Sequence, residues 1–210
     1  MTDYWDTVGA TKTFTHPLHT AWLAGVGRTA RVLDYGCGYG RLTAQLSDLG
    51  FADVTGVDIS AALIARGRRA RPDLRLAVID SPPVVDEPAG SFDLVTLFAV
   101  LTCVPGDDDQ RALIAEVRRV LRPGGLLYVS DLLLQDDERH RRRYAEHFAK
   151  DEAGYGVFAT GDGAVCRHHD AGHLRGLLGG FDLLDERHLE VTTMNGRRAS
   201  AVQMLALNRR

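Results

Sequence analysis

The sequence predicts an α/β fold with a doubly wound, mostly parallel sheet and helices on both of its faces. The first reason is an alternation along the chain, in which short apolar runs rich in β-branched residues are followed by segments of helical periodicity. The second is a cluster of glycines between the first such run and the first such helix. The third is the position of three carboxylates, because Asp34, Asp58 and Asp80 each come at or near the end of a predicted strand.

The first predicted strand, around Val32 and Leu33, leads into a turn with glycine at positions 36, 38 and 40 and then into a helix. The pyrophosphate fingerprint Gly-x-Gly-x-x-Gly/Ala is not met, because Arg41 takes its sixth position. A strand, a glycine turn and a helix N-terminus still predict a site where a nucleotide-like ligand lies against bare backbone. For a ligand without phosphate, Asp34 could face a cationic group.

The second and third predicted strands, 54–58 and 74–79, lead to Asp58 and Asp80. Asp58 follows Gly36 by 22 residues, the spacing at which an acid after the second strand binds ribose hydroxyls. The alternative is that Asp58 is only an exposed residue at a strand end. Ser60 is the predicted N-cap of a helix over 61–70.

The middle of the chain continues the alternation. Residues 92–98 are apolar at nearly every position, which predicts a central parallel strand buried on both faces. A helix with acids in its first turn begins near Pro105 and ends at the Arg-Pro-Gly-Gly turn of 122–125. The fifth strand follows over 126–130.

The two ends and one insertion depart from this pattern. Residues 18–26 predict a short helix after Pro17, and the aromatic residues Trp5, Phe14 and Trp22 of the N-terminal segment either cover a sheet edge or belong to a lid. The charged run 135–150 predicts a solvated helix face, followed by a small hairpin within 154–163. A last helix over 171–178 precedes two strands, 183–193 and 200–207, joined around Asn195 and Gly196.

Composition excludes several classes of protein. A net charge of −3 and a pI of about 6.2 give no overall attraction for nucleic acid or anionic membranes. No run approaches the roughly 18 apolar residues of a membrane span, and the polar, acidic N-terminus is unlike a signal peptide. The three cysteines lie far apart, which indicates neither a disulfide framework nor a zinc site. We therefore expect a cytoplasmic monomer or homodimer without a metal, a nucleic-acid partner or a membrane partner.

The glycine turn resembles motif I of the class I S-adenosylmethionine-dependent methyltransferases, an acidic residue followed by Gly-x-Gly-x-Gly. The Val-Leu-Arg-Pro-Gly-Gly-Leu sequence of 120–126 is a second marker of this family, and the whole is similar to the small-molecule enzymes of methyltransferase types 11 and 12. The resemblance implies a Rossmann-like, seven-stranded sheet with an antiparallel last strand in a single domain. Its parts are an N-terminal cap (1–29), a cofactor-binding core (30–131), a substrate roof after the fifth strand (132–170), and a last helix with a C-terminal hairpin (171–210).

The resemblance also implies the cofactor, S-adenosylmethionine, and its product, S-adenosylhomocysteine. In this family the acid after the second strand grips the ribose, and an acid after the third strand accepts a hydrogen bond from the adenine amine. The implied cofactor-binding residues are Asp34, Gly36, Cys37, Gly38, Asp58, Ile59, Asp80, Ser81 and Phe98.

Methyl transfer from a sulfonium requires mainly alignment, and a general base helps when the acceptor is a hydroxyl, a protonated amine or a carbon atom. Histidine is the natural base, so we expect His169 or His168 in the roof, with His16 as the second choice. The alternative for each is a structural histidine. The expected substrate-binding residues are aromatic: Tyr4, Trp5, Tyr155 and Phe158.

The leading hypothesis is an enzyme that methylates oxygen, nitrogen or carbon of a small molecule, with specialised metabolites among the candidates. The alternatives are an RNA or protein methyltransferase, and a protein that binds S-adenosylmethionine without catalysis. Residues 98–101 lack the Asn/Asp-Pro-Pro-Tyr type of motif after the fourth strand, and there is no basic domain. The fold alone does not decide among these activities.

Overall fold

A seven-stranded sheet forms the centre of the protein in a computed structural model that describes residues 2–148 and 154–209. The strands are β1 (Arg31–Tyr35), β2 (Asp53–Asp58), β3 (Arg75–Val78), β4 (Phe92–Phe98), β5 (Leu121–Leu132), β6 (Val157–Ala159), β7 (Val165–Arg167), β8 (Phe181–Thr192) and β9 (Arg198–Asn208). The sheet has the order β3-β2-β1-β4-β5-β9-β8. β1 to β5 pair in parallel, and β9 is antiparallel to both of its neighbours. β6 and β7 form a separate hairpin in the predicted roof.

The helices are α1 (Thr2–Asp6), α2 (Arg41–Asp48), α3 (Ala61–Ala70), α4 (Asp107–Val120), α5 (Glu138–Phe148) and α6 (Ala171–Leu177). Of these, α2, α3 and α4 connect parallel strands of the sheet. None of these described helices has both the length and the apolar composition needed to cross a membrane. Ser60 caps α3 as predicted, since its hydroxyl accepts a hydrogen bond from the amide of Leu63 at 3.1 Å.

Alternate residues of β1 show why both faces of the sheet are covered. Val32 belongs to an apolar cluster with Leu46 of α2, whereas Leu33 belongs to another with Val117 of α4. Successive side chains of a strand point to opposite faces, so one short strand supports a helical layer on each side. The doubly wound arrangement predicted from the sequence is confirmed.

The prediction of a helix over 18–26 is wrong, because only Thr20–Leu23 forms a single turn of 3₁₀ helix. The amide of His19 donates a hydrogen bond to the hydroxyl of Tyr128 at 2.9 Å, and Leu23 is buried. Tertiary contacts therefore hold this segment in a less regular form. The predicted helix over 135–150 is α5, and its last two positions lie outside the described residues.

The strand order creates a crevice at the carboxyl ends of β1 and β4. The chain runs outward from β1 to β3 on one side and from β4 onward on the other. Loops from the two halves diverge at this point, and ligands of open α/β sheets bind there.

Packing of α3 against the glycine turn gives a first prediction. A Cβ added at Gly67 would lie 2.6 Å from the carbonyl oxygen of Tyr39. Gly67→Ala should therefore lower the free energy of unfolding by about 1–3 kcal/mol, although alanine favours a helix by about 1 kcal/mol. Urea denaturation measures the change.

The matched control is Gly176→Ala in α6, where an added Cβ would meet nothing within 4 Å. This change should leave stability unchanged or raise it by up to about 1 kcal/mol. If both substitutions stabilised the protein equally, α3 could not be packed tightly against the turn.

Candidate active site

The turn between β1 and α2 forms the floor of the crevice. The backbone amides of Gly36 and Cys37 donate hydrogen bonds to the carbonyl oxygen of Val57, at 2.8 and 3.0 Å. The φ angles of Gly36 and Gly38 are +71° and +58°, which residues with side chains rarely adopt. A Cβ at Gly36 would lie 2.5 Å from Val100. The turn therefore requires glycine and presents bare backbone to the crevice.

Asp58 holds this turn from the end of β2. One carboxylate oxygen accepts a hydrogen bond from the amide of Gly38 at 2.8 Å, and the other accepts one from the amide of Ser60 at 2.9 Å. Burial raises the pKa of the Asp58 carboxyl, and the amides act against that effect. Each carboxylate oxygen has more than one lone pair, so Asp58 can accept further hydrogen bonds from a bound molecule.

Asp34 has a different position from the one expected. Its carboxylate accepts hydrogen bonds from the hydroxyls of Thr43 and Thr96, at 2.7 and 2.9 Å, and only 1% of the residue is exposed. Burial raises the pKa of Asp34 to about 6. Asp34 therefore joins β1 to α2 and β4, and its carboxylate is engaged inside the protein instead of facing a cationic ligand group.

A cavity of about 300 Å³ lies above the turn; we call it the cofactor cavity. Gly36, Gly38, Asp58 and Ile59 line it, so the structure brings these four predicted residues together. Further walls come from residues that the sequence analysis did not single out: Tyr35, Leu63, Ile79, Cys103 and Leu113. They are mostly ordinary apolar residues, and no sequence signal separates them from the rest of the core.

The N-terminal segment covers this cavity. Trp5 and Phe14 line it, and the hydroxyl of Ser60 lies within hydrogen-bond distance of two acceptors in this segment, the carbonyl of Trp5 at 3.0 Å and the carboxylate of Asp6 at 2.8 Å. Trp5 and Phe14 thus lie where the lid alternative expects them, whereas Trp22 packs against Tyr128 of β5, as the sheet-covering alternative expects, and the role of a lid stays a prediction. Trp5, expected at the substrate, lies at the cofactor cavity.

Lys12 continues the same segment toward the roof. Its ammonium group donates hydrogen bonds to Asp162 at 2.5 Å and to Asn195 at 2.6 Å. This ion pair helps to lower the pKa of Asp162 to about 2. The lid is thereby tied to the β6–β7 hairpin and to the turn between β8 and β9.

A second cavity of about 360 Å³, the acceptor cavity, adjoins the first. Ala99 and Cys103 line both cavities. Ala99 has a φ of +57°, and its amide donates a hydrogen bond to the carbonyl of Ser130 at 2.8 Å. Strained backbone conformations cluster at functional sites. The end of β4 is thus the place where a ligand in one cavity lies next to a ligand in the other.

The predicted roof forms much of the acceptor cavity. Phe158 and Cys166 come from the β6–β7 hairpin, His140 comes from α5, and Met194 comes from the turn between β8 and β9. Phe158 was an expected substrate-binding residue, and its position fits that role. Tyr155 is half exposed with its ring against Tyr144, and it does not line either cavity.

Two of the three candidate histidines line the acceptor cavity. Nδ1 of His16 lies 2.9 Å from the hydroxyl of Ser130, and Nδ1 of His168 lies 2.6 Å from the hydroxyl of Tyr144. Burial lowers the pKa of His16 to about 4 and that of His168 to about 3. Both rings are therefore neutral at pH 7 and can accept a hydrogen bond or a proton.

His169 lies in the protein interior, among residues that give it a structural role. Its side chain is fully buried, with Nε2 2.9 Å from the side-chain amide of Gln110 and Nδ1 3.6 Å from the carboxylate of Asp131. It lines neither cavity. The expectation that His169 serves as the base therefore finds no support in its position.

The remaining predicted residues lie around the cavities without lining them. Phe98 packs on the α2 face of the sheet, with its ring 4.8 Å from that of Tyr128. The side chain of Cys37 packs behind the glycine turn, and Asp80 and Ser81 are exposed beyond β3. The hydroxyl of Tyr4 donates a hydrogen bond to Asp162 at 3.2 Å.

No group of three or more metal-ligating side chains stands close enough to hold a metal within residues 2–148 and 154–209.

Comparison with known proteins identifies the core. Residues 33–129 match the family model described as "Methyltransferase domain". This segment belongs to the class I S-adenosylmethionine-dependent methyltransferases. The family assignment made from the glycine turn is confirmed, and S-adenosylmethionine, the expected cofactor, is the cofactor of this family. The methyltransferase segment includes the turn, Asp58 and both residues shared by the two cavities.

Curated relatives resemble only part of the chain. A trans-aconitate 2-methyltransferase from Deinococcus radiodurans is 38% identical over 139 residues, which are 64% of this chain and 51% of that protein. A ubiquinone biosynthesis O-methyltransferase from Xanthomonas oryzae pv. oryzae is 35% identical over 140 residues, 61% of this chain and 56% of that one. The chain thus spans about half the length of these relatives.

Solved structures resemble the chain over more of its length. A SAM-dependent methyltransferase from Methanosarcina mazei has a TM-score of 0.85 and 24% identity, covering 92% of this chain and 99% of that one. This likeness confirms the α/β fold predicted from the sequence.

The buried, neutral state of His16 gives a prediction about pH. Its folded pKa of about 4 is lower than the ordinary 6.5, so the unfolded chain binds more protons between these values. Stability is therefore lost as the pH falls through 6.5 toward 4, and the loss at about pH 5 is about 2 kcal/mol for this residue. His16→Gln should reduce the fall in unfolding free energy between about pH 7.5 and about pH 5 by that amount, measured by urea denaturation. An equal fall in both proteins would contradict a buried neutral ring.

Proposed function

We propose that the protein is a methyltransferase that moves a methyl group by direct displacement from S-adenosylmethionine to oxygen, nitrogen or carbon of a small molecule. The observation that carries this proposal is the contact between the two cavities at Ala99 and Cys103. One cavity has the features expected for the cofactor, and the other is large enough for a small acceptor.

The cofactor cavity fits an adenosyl amino acid by its chemistry. Gly36 and Gly38 leave space for close approach to backbone, and Asp58 offers a carboxylate for ribose hydroxyls. Ile59 and Ile79 give apolar walls suited to adenine. When bound, S-adenosylmethionine supplies a methyl group activated by a sulfonium. Trp5, in the lid, would exclude water from that group.

The acceptor side has to position a nucleophile, because orientation is the main requirement of this chemistry. Thr102 lines the acceptor cavity, and its hydroxyl is buried and has no hydrogen-bond partner among the residues that the structure describes. Nε2 of His16 is available for a hydrogen bond, since Nδ1 is used by Ser130. A pKa of about 4 makes His16 a weak base, better suited to orienting an acceptor than to removing a strongly held proton.

The names of the relatives support a small-molecule acceptor: one methylates trans-aconitate and the other is an O-methyltransferase of ubiquinone biosynthesis. The dimensions of the acceptor cavity favour a small molecule over RNA or a protein. We propose that the acceptor belongs to this class, including specialised metabolites, and that the enzyme works in the cytoplasm as a monomer or homodimer.

The test is a mass-spectrometric screen for methylated products, with the protein, S-adenosylmethionine and a library of acids, phenols, amines and indoles. A methylated product that depends on the protein supports the proposal. Cofactor binding without any product would favour the non-catalytic alternative, and absence of cofactor binding by calorimetry would refute both.

Asp58→Ala should weaken S-adenosylmethionine binding by about 1–3 kcal/mol, because hydrogen bonds to a charged group are lost. Isothermal titration calorimetry measures this change. The control is Asp86→Ala, which removes an exposed carboxylate of the loop after β3 that lines neither cavity. Equal affinities in both variants would mean that the ribose lies elsewhere.

A further inference from the structure

Three of the four arginines that line the acceptor cavity stand out because nothing in the mechanism above uses them, and the fourth, Arg198, is paired with Glu190. Arg139 and Arg143 of α5 and Arg197 of the turn between β8 and β9 all line this cavity. Two of them belong to the roof and the third to the C-terminal hairpin of β8 and β9. The junction with the cofactor cavity, in contrast, lies at the end of β4. The arginines are thus at the part of the cavity that is built outside the central sheet.

Arg139 and Arg143 belong to the charged run at 135–150, which was expected to form a solvated helix face. They are four residues apart and so share one face of α5. Arg141 and Arg142 point to solvent, as the sequence analysis expected for the whole run. One face of the helix is therefore solvated, and another contributes cations to a cavity.

These cations have no carboxylate partner among the residues that the structure describes. Within the described parts of the chain, no carboxylate lies within ion-pairing distance of Arg139, Arg143 or Arg197. Asp162, an acid at the same cavity, is paired with Lys12.

Of the three arginines, Arg143 is held in place by contacts with its neighbours. Its guanidinium lies 4.4 Å from the ring centroid of Phe158 and donates a hydrogen bond to the carbonyl of Ala159 at 2.6 Å. Burial lowers the pKa of Arg143, and the neighbouring charges of Arg139 and Arg197 lower it further. Arg139 and Arg197 are themselves exposed, so solvent screens part of the repulsion among the three charges, and an anion bound between them would offset the rest.

We propose that the acceptor carries an oxyanion, which Arg139, Arg143 and Arg197 bind at the roof end of the cavity. Guanidinium groups bind carboxylate and phosphate through paired hydrogen bonds, so the shared chemistry is that of an oxyanion. The apolar side chains of Phe158 and Met194 hold the body of the molecule. The anion anchors one end, and the atom to be methylated lies toward Ala99 and Cys103. This inference rests on the proposed function, because only that function makes the end near Ala99 and Cys103 a methyl acceptor.

The test is a calorimetric titration of the full chain, with and without S-adenosylhomocysteine. The probes are matched pairs: cinnamate and cinnamamide, 4-hydroxybenzoate and 4-hydroxybenzamide, and phenyl phosphate and phenol. At least one anion should bind about tenfold or more tightly than its neutral counterpart, and its affinity should fall with added salt. The carboxylate and phosphate pairs distinguish the two possible oxyanions.

Arg143→Gln and Arg197→Gln should each weaken binding of that anion by about 10- to 100-fold and leave S-adenosylhomocysteine affinity unchanged. The matched control is Arg141→Gln, on the solvent side of the same helix, which should change neither affinity. Because Arg143 also contacts Phe158 and Ala159, its variant is checked for an unchanged thermal midpoint. The side chain of Arg197 makes no hydrogen bond or ion pair within the described residues, so its variant tests the anion site even if Arg143→Gln is unstable.

Equal or tighter binding of the neutral probes, binding of none of the anions, or anion binding that resists both arginine substitutions would overturn the proposal. Failure of S-adenosylhomocysteine to bind is a separate result that counts against the proposed function. The titrations without it test the oxyanion site in that case as well.

Discussion

The carbonyl of Val57 and the carboxylate of Asp58 bind the three successive backbone amides of Gly36, Cys37 and Gly38. These hydrogen bonds tie the chain that leaves β1 to the end of β2. A glycine turn loses much conformational freedom on folding, and the hydrogen bonds offset that loss. Since the open side of the turn is the floor of the cofactor cavity and α2 begins at its far end, the cavity, the helix and two central strands depend on the same few contacts.

Features determined by local sequence could be predicted. The strands follow from apolar runs, and Asp58 follows from its distance to the glycine turn. The direction of a side chain at a strand end could not be predicted, because it depends on the final register and on neighbouring strands. Asp34 therefore reaches Thr43 and Thr96 inside the protein, and Phe98 packs on the α2 face of the sheet.

The acceptor cavity depends on contacts between segments far apart in the sequence. Its lining residues are therefore harder to predict from the sequence than those of the cofactor cavity. His168 and His169 are adjacent, and side chains of extended chain alternate in direction, so only one of them faces the cavity. The charged run on α5 is limited in the same way. Helical periodicity shows which residues share a face, but it does not show whether that face contacts solvent or a cavity. Loops and short hairpins form this side, and they can vary in sequence without disturbing the cofactor-binding core.

The position of Lys12 links the coverings of the two cavities. One ammonium group joins the segment over the cofactor cavity to Asp162 of the roof and to Asn195 of the C-terminal hairpin. Any displacement of that segment would break contacts with both coverings of the acceptor cavity. Under the proposed function, opening of the cofactor cavity and opening of the acceptor cavity would therefore be mechanically coupled.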